Sequence, residues 1–95
     1  MKVEFSPTAE ADLDEIAAYI ARDNVRAAER WVDKLVQAAR DVAHAPLAGR
    51  MVPELQDPKI REVLVRNYRI VYRVERKRIV ILTIFEGHRK LRPLP

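Results

Sequence analysis

Ninety-five residues hold one domain at most, and with 48% of them hydrophobic a real core is within reach. The absence of cysteine and the presence of only two histidines exclude disulfides and thiolate metal sites and leave too few imidazoles for a metal cage. The net charge of +4 is unevenly spread: residues 1–58 carry 7 Lys/Arg against 11 Asp/Glu, and residues 59–95 carry 11 against 3, giving −4 and +8. The basic second half suits an anionic partner, either nucleic acid or an acidic protein, or else forms a solvated basic surface with no partner. The start, MKVEFSPTAEADLDE, has no apolar signal core, and no apolar run approaches the length of a bilayer span. The expectation is a soluble cytoplasmic protein of one domain, residues 1–95, with no metal, cofactor or membrane association.

KVEFS reads as a short first strand with Val3 and Phe5 on one face. Ser6 follows as a helix N-cap, and Pro7 fits the first helical position. Ala9, Leu13, Ile16, Ala17 and Ile20 then recur at helical spacing. Glu10, Asp12, Asp14 and Glu15 lie in the first turns, where the helix dipole favours anions, and Arg22 lies near the end, where it favours cations. Asn24 caps a second helix whose stripe is Ala28, Trp31, Val32, Leu35, Val36, Ala39 and Val42. The link at Asp23–Asn24 is so short that the two helices form an antiparallel hairpin. Trp31 reads as core between them, Tyr19 as half-buried at the hairpin's edge, and His44 as a cation closing the second helix or a surface residue.

Residues 45–59 hold three prolines and a glycine and read as a loop. After it come three strands, IREVLVR, YRIVYRVE and RIVILTIFE, joined by turns near Asn67–Tyr68 and Arg76–Lys77. Following the pleat, Val63, Val65, Ile70, Tyr72, Val74, Ile79, Ile81, Thr83 and Phe85 share one face, which the helical hairpin must cover. Glu62, Leu64, Arg69, Val71, Arg73, Val80, Leu82 and Ile84 share the other. The last strand is apolar on both sides and suits the middle of the sheet, with the first strand beside it. Two helices cover only one face, so Val71, Val80, Leu82 and Ile84 need a second cover, supplied by a partner chain or by the 45–59 loop. A Glu62–Arg73 cross-strand ion pair is expected, and Arg50 is placed to reach a carboxylate such as Glu54. Tyr68, at a turn, is expected to be the most exposed tyrosine.

The order β-α-α-β-β-β resembles the RelE/ParE family of bacterial toxins. The likeness is carried by FSPTAEADLDEIAAYI, by AHAPLAGR with Pro46, Gly49 and Arg50, by IREVLVRNYRIVYRV with Arg61, Tyr68, Arg69 and Tyr72, and by IVILTIFEGHRK. It implies an α+β fold with an antiparallel sheet of about four strands covered on one face by the αα-hairpin. It also implies a type II toxin–antitoxin module, in which a small ParD-like antitoxin neutralises the toxin. The antitoxin is expected on Leu64, Val71, Val80, Leu82 and Ile84, with Arg73 and Tyr19.

Two branches of the family differ in chemistry. The RelE-like branch cleaves messenger RNA in the ribosome, which requires a proton acceptor, a proton donor and cations around the phosphorane. The candidates for that metal-independent endoribonuclease are His88, Arg61, Arg73 and Glu62, with Glu54 as another carboxylate. The lysine-rich loop and the terminal tyrosine of some family nucleases are missing here. The ParE-like branch poisons DNA gyrase by binding and needs no catalytic residue. The alanine-rich hairpin, the AHAPLAGR loop and the YRIVYRV strand look more like this second branch. Contacts to gyrase or DNA phosphate are then expected from His88, Arg89, Lys90, Arg92 and Arg69, presented by a tail that leaves a rigid central strand and is stiffened by Pro93 and Pro95. A basic binding module without toxicity is the third expectation.

Overall fold

A computed structural model describes residues 1–95. Strand β1 (Lys2–Phe5) leads into helix α1 (Pro7–Ala21), and helix α2 (Val25–Asp41) returns antiparallel to it. A single 3-10 turn, Val42–His44, closes α2. There follow β2 (Arg50–Met51), β3 (Ile60–Val65), β4 (Tyr68–Val74) and β5 (Arg78–Glu86). Both expected caps form: Ser6 Oγ accepts from the Ala9 amide at 3.0 Å, and Asn24 Oδ1 accepts from Ala27 at 2.9 Å. Ser6 Oγ also donates to the Leu82 carbonyl at 2.8 Å, so one hydroxyl starts α1 and fixes it to β5.

The sheet has five strands in the order β1-β5-β4-β3-β2. The expected count of about four misses the two-residue β2, which pairs with β3 only at Arg61 and Glu62. The sheet is mixed rather than antiparallel throughout, because β1 runs parallel to β5. A parallel pair needs a long crossover, and the helical hairpin together with β2–β4 supplies it.

The hairpin covers one face, where Leu13, Leu35 and Ala39 pack on Ile70, Tyr72, Ile79 and Ile81. Strict alternation fails midway along β5. Val71 lies opposite Thr83, while its neighbour Tyr72 lies opposite Ile81, so Leu82 is an extra residue in a bulge. One inserted residue flips every later side chain. Ile84 therefore joins the helix-covered core and Phe85 turns to the other face, the reverse of the alternating pattern.

The second face is closed as well. Val71, Val80, Leu82 and Phe85 form a cluster with Val52 from the 45–59 loop, and Leu91 and Leu94 of the C-terminal tail pack onto it. Val71, Val80, Leu82 and Ile84 are all buried, at 8% exposure or less. Of the two covers expected, the chain's own loop is the one present over Val71, Val80 and Leu82, and Ile84 lies under the helices instead. The loop contributes part of the cover, and the tail, whose leucines follow its cations, contributes the rest. No helix is long and apolar enough to cross a membrane.

Candidate functional site

The residues proposed for chemistry fall into two places. The first is a buried ionic network on the second face. β3–β4 pairing sets Glu62 opposite Val71, and the Glu62 side chain is fully buried. Its Oε2 accepts from Arg50 Nε at 2.6 Å, and its Oε1 accepts from Arg69 Nε at 2.7 Å. Arg69 extends a two-pronged donation to Glu54, at 2.9 and 2.8 Å, and its guanidinium lies 5.0 Å from the Phe85 ring centre. Those hydrogen bonds from Arg69 hold the Glu54 carboxyl at about 2, well below its ordinary 4.5. A buried carboxylate costs several kcal/mol unless it is paired, so the two arginines around Glu62 offset its burial and clamp the loop to the sheet. The Tyr72 hydroxyl donates to the Pro46 carbonyl at 2.7 Å, and Arg61 donates to the carbonyls of Gly49 and Pro58 at 3.2 and 2.8 Å.

Two sequence expectations are corrected here, and a third, that Arg50 reaches a carboxylate, holds with Glu62 in place of Glu54. Glu62 pairs with Arg50 and Arg69 rather than with Arg73, which instead donates to Glu75 at 2.9 Å. Arg50 reaches Glu62, and Glu54 goes to Arg69. Arg69 is buried and committed to two carboxylates, so it is not a contact cation.

The second place is the tail. The Gly87 amide donates to the Asn67 carbonyl at 2.6 Å, tying the tail's start to the β3–β4 turn. A Cβ at Gly87 would lie 3.0 Å from that same carbonyl, which favours glycine there. Further along, Arg92 Nη2 donates to Asp12 Oδ1 at 2.9 Å. Asp12 is 6% exposed, and its other oxygen accepts from Thr83 Oγ1 at 2.6 Å and from the Ile84 amide at 3.0 Å. Since β1 pairs with β5 only as far as Ile81, Asp12 satisfies an edge amide that no strand reaches. Between its two ties the tail leaves His88, Arg89 and Lys90 exposed, with the His88 side chain at 81%. A cleft of about 320 Å³ separates α1 from this segment and is lined by Glu15, Tyr19, Phe85, Glu86, Arg89 and Lys90, among others.

Asp12 escaped the sequence analysis as a functional group. Its signal was its position, three residues after Ala9 and four before Ile16, on the apolar stripe rather than opposite it. The tyrosine expectations also reverse: Tyr19 is 70% exposed, while Tyr68 is half-buried. Trp31 is half-buried at the core's rim and meets Tyr68 edge-on at 5.6 Å.

The proposed ribonuclease set does not converge. His88 follows Gly87 at the β3–β4 turn, whereas Arg73 lies five residues beyond Tyr68 on β4, roughly 17 Å away at a strand's rise per residue. Glu62 is enclosed by arginines, and Arg61 is held by two loop carbonyls. No group of three or more His, Asp or Glu side chains is placed to hold a metal ion.

Residues 3–91 match the family model described as the ParE toxin of the type II toxin–antitoxin system parDE. Among solved structures, the chain is similar to one of the chromosomal ParDE system from P. aeruginosa, with a TM-score of 0.75 and 25% identity over 90% of this chain and 95% of that one. It is also similar in fold to a chain of the toxin–antitoxin complex RelBE2 from Mycobacterium tuberculosis, with a TM-score of 0.66 and 22% identity over the same shares. No curated protein matches.

Proposed function

The chain belongs to the ParE toxin family of type II toxin–antitoxin systems, and from that premise we propose that it arrests growth in the cytoplasm by binding and poisoning DNA gyrase. One observation carries the choice of a binding mechanism over RNA cleavage. The acid, base and cations that strand cleavage needs are dispersed and mostly committed, while Arg89 and Lys90 stand unpaired on a tail tethered at both ends. A tethered tail loses little backbone entropy when it docks, so its cations meet an acidic gyrase surface or DNA phosphate at low cost. His88 belongs to the same surface, and Arg92 anchors it.

The cognate antitoxin is proposed to use what the fold leaves open. Leu64 is 54% exposed and Tyr19 70%, and Arg73 is partly exposed. β3 is paired on its outer side only from Ile60 to Glu62, so Val63–Val65 offer a free edge for an added strand. Val71, Val80 and Leu82 become available only where the tail or the loop gives way, whereas Ile84 stays under the helices.

The test is a supercoiling assay with purified gyrase. The wild-type toxin should inhibit supercoiling and accumulate cleaved DNA. The double variant Arg89→Glu/Lys90→Glu should lose at least about tenfold in potency while keeping its fold, because Leu91, Leu94 and Arg92 remain in place. Full potency in that variant would remove the tail from the mechanism, and a gyrase indifferent to the wild type would remove the target. This charge reversal is cleaner than deleting the tail, which would uncover the second face.

A further inference from the structure

A second groove, of about 610 Å³, lies between α2 and the β3–β4 turn. Ile20 and Ala27 form part of its floor, and Arg30, Lys34 and Arg66 surround Trp31. Three cations line it and no carboxylate does. Lys34 and Arg66 lie 5.9 and 5.2 Å from the Trp31 ring centre. The indole thus holds two like charges in place without neutralising either. Arg66 also has φ 54°, the left-handed region that a non-glycine residue enters at a cost, in a two-residue loop where glycine or asparagine is the ordinary choice. Strain of this kind persists where the surroundings impose it, and here it sets a guanidinium over an aromatic ring.

The groove continues onto the tail. Tyr68 lines both this groove and the α1–tail cleft, and the Gly87–Asn67 hydrogen bond joins their walls. Arg30, Lys34, Arg66, Arg89 and Lys90 therefore border one path across Tyr68, and none of them is in an ion pair. Glu15 and Glu86 stand on the tail side, so the path is most positive beside α2.

We infer that this path binds a single strand of DNA, with phosphates on the cations of α2 and Arg66 and a base against the Tyr68 ring. A row of evenly spaced anions matches an elongated row of unpaired cations with an aromatic ring between them. An acidic peptide would call for a deep apolar anchor pocket, and Ile20 and Ala27 supply only a shallow floor. The choice of DNA rests on the gyrase reading, in which the target complex carries broken strands.

Fluorescence anisotropy with purified toxin, free of antitoxin and without gyrase, tests this on an oligothymidylate of about twenty nucleotides. Affinity should fall between about 50 and 200 mM salt with a log–log slope of about −2 to −4, from roughly 0.7 per neutralised phosphate. Arg30→Glu/Lys34→Glu should weaken binding at least about tenfold and flatten the slope. Arg76→Glu/Lys77→Glu carries the same charge change in the β4–β5 turn, at the other end of the sheet, and should change affinity by less than about twofold. Arg66→Gly suits the left-handed backbone, so it should keep the fold, judged by circular dichroism, and still weaken binding about threefold or more. Equal losses in the two double variants, salt-independent binding, or tighter binding of oligouridylate or a glutamate-rich peptide would each overturn the inference. Because gyrase is absent from the assay, such a failure leaves the supercoiling result untouched, and a failed supercoiling assay leaves the strand-binding result untouched.

Discussion

Two carboxylates, Asp12 on α1 and Glu54 in the 45–59 loop, show how single residues decide what the others are free to do. Asp12 spends both oxygens on Thr83, the Ile84 amide and Arg92. Asp12→Ala should strand a buried amide and release the tail's anchor, costing about 1–3 kcal/mol in urea unfolding. A cost near zero would mean that the tail is not held from α1. At Glu54, the pH dependence follows from the sign of its shift. Its carboxyl titrates at about 2 in the folded protein against an ordinary 4.5, so the Arg69 contact stabilises fully above about 4.5 and is lost as pH falls towards 2. Stability should therefore decline over that window, and Glu54→Gln should decline less steeply across it, measured by thermal melts at stepped pH. A parallel decline in both proteins would contradict the pairing. The caps Ser6 and Asn24 were legible in the sequence because they act on amides three residues away. The partners of Glu62 were not legible. Arg50 comes from a stretch with no periodicity, and Arg69 and Arg73 stand equally diagonal to Glu62, two residues either side of Val71, so strand pairing alone does not distinguish them.

At the scale of elements, the tail does two jobs with successive stretches. Leu91 and Leu94 close the second face, while His88, Arg89 and Lys90 point outward. Leu91→Ser/Leu94→Ser should open that face, raising binding of an apolar dye severalfold and lowering stability by about 1–3 kcal/mol, since both leucines are only partly buried. Unchanged dye binding would show that the 45–59 loop suffices as cover. The order of elements and the burial of β5 within the sheet were readable from periodicity and caps. The bulge at Leu82 was not, because an inserted residue leaves no mark in the sequence of a strand that is apolar on both sides. This explains why Ile84 and Phe85 were assigned to each other's faces. β2 was also invisible, since two residues carry no periodicity.

At the scale of the whole molecule, the charge split between the two halves is partly spent inside the fold. Of the 11 cations in residues 59–95, Arg69, Arg73, Arg78 and Arg92 are in ion pairs, and Arg61 is bonded to loop carbonyls. What remains near the tail and the β3–β4 turn is a smaller and better-placed set than the sequence count implied. The surface also keeps Tyr19, Leu47 and Leu64 open, each more than half exposed, which suits a toxin that has an antitoxin to meet. The toxin family was legible because its marks are spread in order along nearly the whole chain. The target was harder to read, since the same fold serves cleavage and binding, and only the placement of a few side chains separates them.

The most direct measurement of that separation follows messenger RNA on translating ribosomes, with purified toxin added well below the ribosome concentration and a matched gyrase supercoiling reaction run beside it. The expected result is intact messenger RNA together with stalled gyrase and cleaved DNA. Messenger RNA cut repeatedly per toxin molecule, with supercoiling unaffected, would mean that the dispersed residues assemble on the ribosome and that this protein acts as a nuclease.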